Sequence, residues 1–272
     1  MTSGGLHVNG HHYELEISGQ GEALLLLHGF GGDKSIWAEL RAGLDSAYRI
    51  IAVDILGHGA SDKPTGVGAY QMARVSRDIL SLLDELRIPD CHLLGYSMGG
   101  RLALYLSAGY PGRCRSLILE SASPGLADKS ERERRRRQDH ALAERIETMG
   151  VAWFVDYWEK LPLWKSQQQL PEEIRRAQRK QRLGNDATGL ANSLRGMGSG
   201  AQPEIWTRLG QVSTPALLLA GARDSKFVAI NQRMARQLPR ADLQVIPDAG
   251  HNIHLEQPQI FIKRVKSFLQ GL

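Results

Sequence analysis

Two periods of hydrophobic and polar residues run through this chain. Residues 7–17 alternate on both sides of Asn9-Gly10, a dipeptide suited to a two-residue turn, so a β-hairpin is predicted there. Residues 23–27, 50–53, 91–94 and 116–120 are short apolar runs without alternation, the mark of strands covered on both faces. Between them a helical period appears near 37–44, over 71–86 and over 98–109. In the second of these, Val75, Ile79, Leu82, Leu83 and Leu86 share one face. Strands separated by helices imply a mostly parallel sheet. The strand signal stops from 124 to 206, where helical periods, arginines and scattered tryptophans take over. It resumes with strands at 215–221 and 242–247 and helices at 228–238 and 258–269. The pattern predicts an α/β protein with a core of residues 1–123 and 207–272. A helical cap, residues 124–206, is inserted after the fifth or sixth strand, over the carboxyl edge where such sheets bind ligands.

The 272 residues, 42% hydrophobic and 23% charged, suit one large globular unit with an insertion. Cys91 and Cys114 both fall in apolar strand-like stretches and read as reduced core thiols, which suggests a cytoplasmic protein. No aliphatic run exceeds the five residues 23–27, so neither membrane insertion nor a signal peptide is expected. The net charge is +5, but 34 basic residues face 29 acidic ones, so no single-sign surface field is expected. A small anionic partner fits better than nucleic acid. His11-His12 and His251/His254 lack helical ligand spacing and a nearby carboxylate pair, so no metal site is expected.

The chemistry centres on Gly95-Tyr96-Ser97-Met98-Gly99-Gly100-Arg101, lying between a strand pattern and a helix pattern. That context makes it a nucleophile elbow, with Ser97 on a sharp turn. An α/β-hydrolase arrangement then needs an acid and a histidine, in that order, each in a loop after a strand. Asp224 and His251 have those positions. Asp248 is three residues from His251 in one loop, too close for the usual geometry, and His254 reads as a helix-approach or wall residue. The oxyanion hole needs main-chain N–H groups. Met98 supplies one, and Phe30, in the His28-Gly29-Phe30-Gly31-Gly32 loop, supplies the other. The loop 54–62 reads as structural.

Arginine placement points to the substrate. Arg101 stands four residues after Ser97 on a helix that should be buried, so it either pairs internally or faces the cleft. In the run Arg132, Arg134, Arg135, Arg136, Arg137, only Arg135 lies within about 20° of the apolar stripe Leu142–Ile146–Met149, at ~100° per residue. Arg135 should therefore point inward. A planar guanidinium grips carboxylate in a fork, so inward arginines above a serine triad imply a multiply carboxylated substrate.

With these residues in place, the chain resembles the 2-succinyl-6-hydroxy-2,4-cyclohexadiene-1-carboxylate synthases of menaquinone biosynthesis. The resemblance is carried by HGFGG (28–32), GYSMGGR (95–101), ESASPGL (120–126), LANSLRGMGSGAQPEIW (190–206), GARDSKF (221–227) and AGHNIHLEQP (249–258). It implies a cofactor-free lyase on the α/β-hydrolase fold with Ser97, Asp224 and His251 as triad. It also implies Arg101, Arg135 and Arg182 as substrate arginines, with Tyr96 and Trp158 as aromatic pocket residues. The implied substrate is a tricarboxylate from which pyruvate is eliminated. Two other readings remain open: a carboxylesterase or C–C bond hydrolase with Ser97 as nucleophile, and a non-catalytic ligand receptor.

Overall fold

The structure, a computed structural model, describes residues 2–44 and 46–272. Asn9 and Gly10 both take left-handed backbone, φ 52° and 87°. That twist lets Thr2–Val8 (β1) and His11–Ser18 (β2) meet antiparallel through a two-residue turn, as the pattern predicts. Six further strands complete one sheet: Glu22–Leu27 (β3), Tyr48–Val53 (β4), Cys91–Tyr96 (β5), Cys114–Glu120 (β6), Ala216–Gly221 (β7) and Ala241–Ile246 (β8). Their order is β1-β2-β4-β3-β5-β6-β7-β8, with β2 antiparallel to β4 and all later pairings parallel.

The unbroken apolar runs follow from burial on both faces. Leu25, Leu27, Ile51, Leu93 and Leu119 pack on one face against Met72–Glu85 (α2) and Met98–Gly109 (α3). Their neighbours Leu24, Leu26, Ile50, Leu94 and Ile118 pack on the other face, against Ala38–Leu44 (α1) and the C-terminal helix. Leu26 is fully buried, so Leu26→Ala should cost about 2–5 kcal/mol.

After the sixth strand the chain leaves the sheet. It forms Lys129–Trp158 (α4), a 3-10 stretch Pro162–Gln169, Glu172–Leu183 (α5) and Ala187–Met197 (α6) before returning as β7. The insert has a small core of its own, in which Ile146, Phe154, Leu190 and Leu194 meet. Gly150, at φ 82° and ψ 173°, breaks α4. Met149 beside that break is 54% exposed, so the predicted stripe ends at Ile146.

Helix Ser225–Ala235 (α7) starts three residues before the predicted 228. The Asp224 carboxylate accepts the Phe227 N–H at 3.2 Å and caps it. Ile253–Glu256 (α8), capped by Asn252, is too short to show a period and was not anticipated. Pro258–Gln270 (α9) closes the chain. Cys91 and Cys114 are buried free thiols on adjacent strands.

Candidate active site

Ser97 joins the end of β5 to the start of α3 at φ 49° and ψ −105°, a strained conformation for a residue with a side chain. The turn is tight enough that a Cβ on Gly99 would strike the Leu27 carbonyl, and one on Gly100 would lie 2.6 Å from the Ala122 Cβ. Ser97 N–H donates to the Glu120 carbonyl at 2.8 Å.

His251 Nε2 lies 3.1 Å from Ser97 Oγ, and its Nδ1 lies 2.7 Å from Asp224 Oδ2. Since the carboxylate accepts, Nδ1 carries the proton and Nε2 is free to receive the serine proton. Both Asp224 oxygens are engaged, one by His251 and one by the start of α7. The orienting acid is therefore fixed to a helix. Phe227 packs on the His251 ring at 4.6 Å, and Trp164 and Tyr96 stand at 5.6 Å. Asp248 is elsewhere, bound to Arg223 at 2.9 Å. His254 does not line the cleft: its ring is edge-on to Tyr96 at 4.9 Å and its Nδ1 lies 2.7 Å from a Glu120 carboxylate oxygen.

The loop that carries Phe30 is held from below. His28 Nδ1 donates to the Gly29 carbonyl at 2.7 Å, and its Nε2 accepts the Ile55 N–H at 2.9 Å. Burial lowers the His28 pKa, which favours this neutral tautomer. Gly31, at φ 73°, lets the chain turn back after Phe30. Among the described residues, neither the Phe30 nor the Met98 N–H donates to a protein acceptor. The 54–62 loop is structural: Asp54 accepts the N–H groups of Lys34 (2.6 Å) and Ala60 (2.8 Å), and Ser61 donates to the Asp54 carbonyl.

A cavity of about 710 Å³ opens above Ser97 and His251, with Phe30, Tyr96, Met98 and Trp158 on its walls. Arg101 and Arg135 also line it. Arg101 is only 9% exposed. Its guanidinium donates to the Met197 carbonyl at 2.7 Å and to Gln202 Oε1 at 3.1 Å. Among the described residues it has no carboxylate within 4.0 Å, which removes the internal salt bridge as its explanation. Burial first, then the Arg135 charge, lowers its pKa to about 10. Arg135 turns toward the chamber as its period predicts, pairing with Asp139 at 2.7 Å and leaving its side chain 40% exposed.

Arg182 is not on this wall. It is buried in a neighbouring cavity of about 280 Å³, beside Arg175, Arg176 and Arg179. There it pairs with Glu159 at 3.3 Å and lies 5.3 Å over the Trp164 ring. Two further cations do line the main chamber, Lys226 and Arg233. Seven residues apart on α7, they share a face. Lys226 follows Asp224 by two residues, the one sequence signal that could have marked it. Among the described residues, no cluster of three or more His, Cys, Asp or Glu is placed to hold a metal ion. No helix there is long and apolar enough to cross a membrane.

Residues 22–258 match the alpha/beta hydrolase fold family. A Bacillus subtilis (strain 168) protein provisionally named 2-succinyl-6-hydroxy-2,4-cyclohexadiene-1-carboxylate synthase is 44% identical over 251 residues, covering 92% of this chain and 91% of that protein. The Serratia proteamaculans (strain 568) synthase of the same name is 34% identical over 257 residues, covering 92% and 95%. The solved structure of MenH from S. aureus superposes with a TM-score of 0.90 at 34% identity, covering 95% of this chain and 98% of that one. The chain belongs to the α/β-hydrolase fold family and, within it, to the 2-succinyl-6-hydroxy-2,4-cyclohexadiene-1-carboxylate synthases.

Proposed function

We propose that the protein is a carbon–oxygen lyase of menaquinone biosynthesis. It converts 2-succinyl-5-enolpyruvyl-6-hydroxy-3-cyclohexene-1-carboxylate to 2-succinyl-6-hydroxy-2,4-cyclohexadiene-1-carboxylate and pyruvate. His251 takes the Ser97 proton, and the serine oxygen removes a proton from the substrate ring. The electron pair left at C2 forms a C2–C3 double bond, the existing C3–C4 double bond moves to C4–C5, the C5–O bond to the enolpyruvyl group breaks, and pyruvate departs as its enolate. The proton held by the Ser97–His251 pair then goes to the enolate carbon, so atoms and charge balance.

Asp224 stabilises the imidazolium that forms, and the Phe30 and Met98 N–H groups face the developing negative charge. General-base catalysis contributes about 10²–10⁴-fold. Charge stabilisation and positioning by the arginines supply the rest. Arg101 and Arg135 hold carboxylates of the tricarboxylate substrate, with Tyr96 and Trp158 against its ring. Residues 124–206 act as the cap over a core of 1–123 and 207–272. Arg182 joins the site only by exchanging Glu159 for a substrate carboxylate.

One observation carries this reading: a 3.1 Å serine–histidine contact opens into a chamber whose buried Arg101 has no carboxylate within 4.0 Å among the described residues. An esterase acting on neutral acyl groups gains nothing from that charge, since an unpaired buried cation is costly. The test offers the enolpyruvyl substrate and a simple aryl ester in parallel, with mass spectrometry of the protein during turnover. Pyruvate release that outpaces ester cleavage, with no covalent adduct on Ser97, is expected. A trapped adduct, or faster ester turnover, would make the protein a hydrolase.

A further inference from the structure

Glu120 ends β6 and is completely buried. Its main-chain carbonyl accepts the Ser97 N–H at 2.8 Å. Its side chain does something separate. Oε1 accepts the His254 N–H at 2.9 Å, and Oε2 lies 2.7 Å from His254 Nδ1. His254 stands three residues after His251. Glu256 closes the chain around both histidines, accepting the Gly250 N–H at 2.7 Å. Immediately after Glu120 the chain turns at Ser121, φ 49°, whose N–H is tied to the Leu219 carbonyl at 2.9 Å. Glu120 is thereby held between β5, β7 and the histidine loop. One residue thus grips the nucleophile through its backbone and the base's loop through its carboxylate. Burying a carboxylate is expensive unless its partners are well placed, and here both donors belong to His254, in the short helix α8 that follows the His251 loop.

We propose that Glu120 is a positioning residue that sets the separation of Ser97 Oγ and His251 Nε2. The inference rests on the triad reading above but not on the identity of the substrate. A glutamine at 120 keeps one acceptor for His254 and turns a donor toward the other hydrogen. The histidine loop should then shift, and an error near 1 Å in a catalytic pair costs on the order of 100-fold. The arginines are held by other contacts, so substrate affinity should be spared.

The experiment compares wild type, Glu120→Gln and His254→Asn. The latter retains the main-chain N–H but loses the imidazole contact. Two rates are read: steady-state pyruvate release, and phosphonylation of Ser97 by an aryl phosphonate, which reports triad reactivity without the natural substrate. Glu120→Gln should lower kcat and the phosphonylation rate together by about 10- to 100-fold with KM within about threefold. His254→Asn should lower both less. A folded Glu120→Gln protein with wild-type kcat and phosphonylation would overturn the proposal. If that variant fails to fold, wild-type rates in folded His254→Asn overturn it equally. If wild-type protein releases pyruvate but is not phosphonylated, and Ser97→Ala stays active, the triad reading itself has failed instead.

Discussion

Replacing Arg101 with methionine separates a binding role from a structural one. The guanidinium is buried and has no protein carboxylate within 4.0 Å among the described residues. The fall of its pKa from the ordinary guanidinium value to about 10 places a penalty of about 3 kcal/mol on the charged form at neutral pH, at ~1.4 kcal/mol per pH unit. Methionine removes that penalty. It also leaves the Met197 carbonyl and the Gln202 amide oxygen without their donor, each costing about 1–3 kcal/mol. The opposing terms are similar, so global stability should change by no more than about 3 kcal/mol. Binding should behave otherwise. Loss of a desolvated partner for a substrate carboxylate costs about 2–5 kcal/mol, or roughly 30- to 5,000-fold in kcat/KM. Urea melts give the first quantity, and pyruvate release over a range of substrate concentrations gives the second. A variant that loses more than 4 kcal/mol of stability while keeping kcat/KM within threefold would refute the reasoning, because Arg101 would then be structural.

Arg135→Ala should raise KM more modestly, by about 5- to 30-fold, because the side chain is half exposed and shared with Asp139. The effect should shrink in high salt, and a salt-independent or absent change would count against a charge contact. Gly99→Ala should destabilise the protein by about 3 kcal/mol or more, since the new methyl meets the Leu27 main chain, which cannot yield; an unchanged melting temperature would contradict the tight elbow. Acid should weaken the fold through His58, which burial holds at a pKa of about 3, against about 6.5 when unfolded. Because the folded value is depressed, its contribution is complete above pH 6.5 and is lost as pH falls toward 3, at about 1.4 kcal/mol per pH unit. His28, also lowered by burial, acts in the same direction. Urea melts at pH 7 and 4.5 should differ by about 3 kcal/mol less in His58→Phe than in wild type; an equal difference would show that His58 is not responsible.

The legible parts of this site are those fixed by local chain geometry. In a parallel sheet, strand ends and the loops after them lie on one edge, so Ser97, Asp224 and His251 could be aligned by order alone. Arg101 stood out as a charge on a helix that had to be buried. Arg135 was placed by its period, although Gly150 cut short the stripe it was measured against. The obscure parts depend on distant partners. Arg182 is paired outside the chamber with Glu159, just past the end of α4, a contact that no spacing encodes. Lys226 and Arg233 look like ordinary solvated positions until α7 is seen beside the cleft. The Glu120–His254 contact joins residues 134 apart.

The central claim is that an imidazole-primed serine acts as a base on a substrate held by guanidinium groups. It is tested most directly by mixing the enolpyruvyl substrate with wild type and with Ser97→Ala, recording pyruvate formation and substrate binding together. Stoichiometric pyruvate from wild type is predicted, with at least a 10³-fold slower rate in Ser97→Ala and a dissociation constant within about threefold of wild type. Pyruvate formation at an undiminished rate in Ser97→Ala would contradict the account.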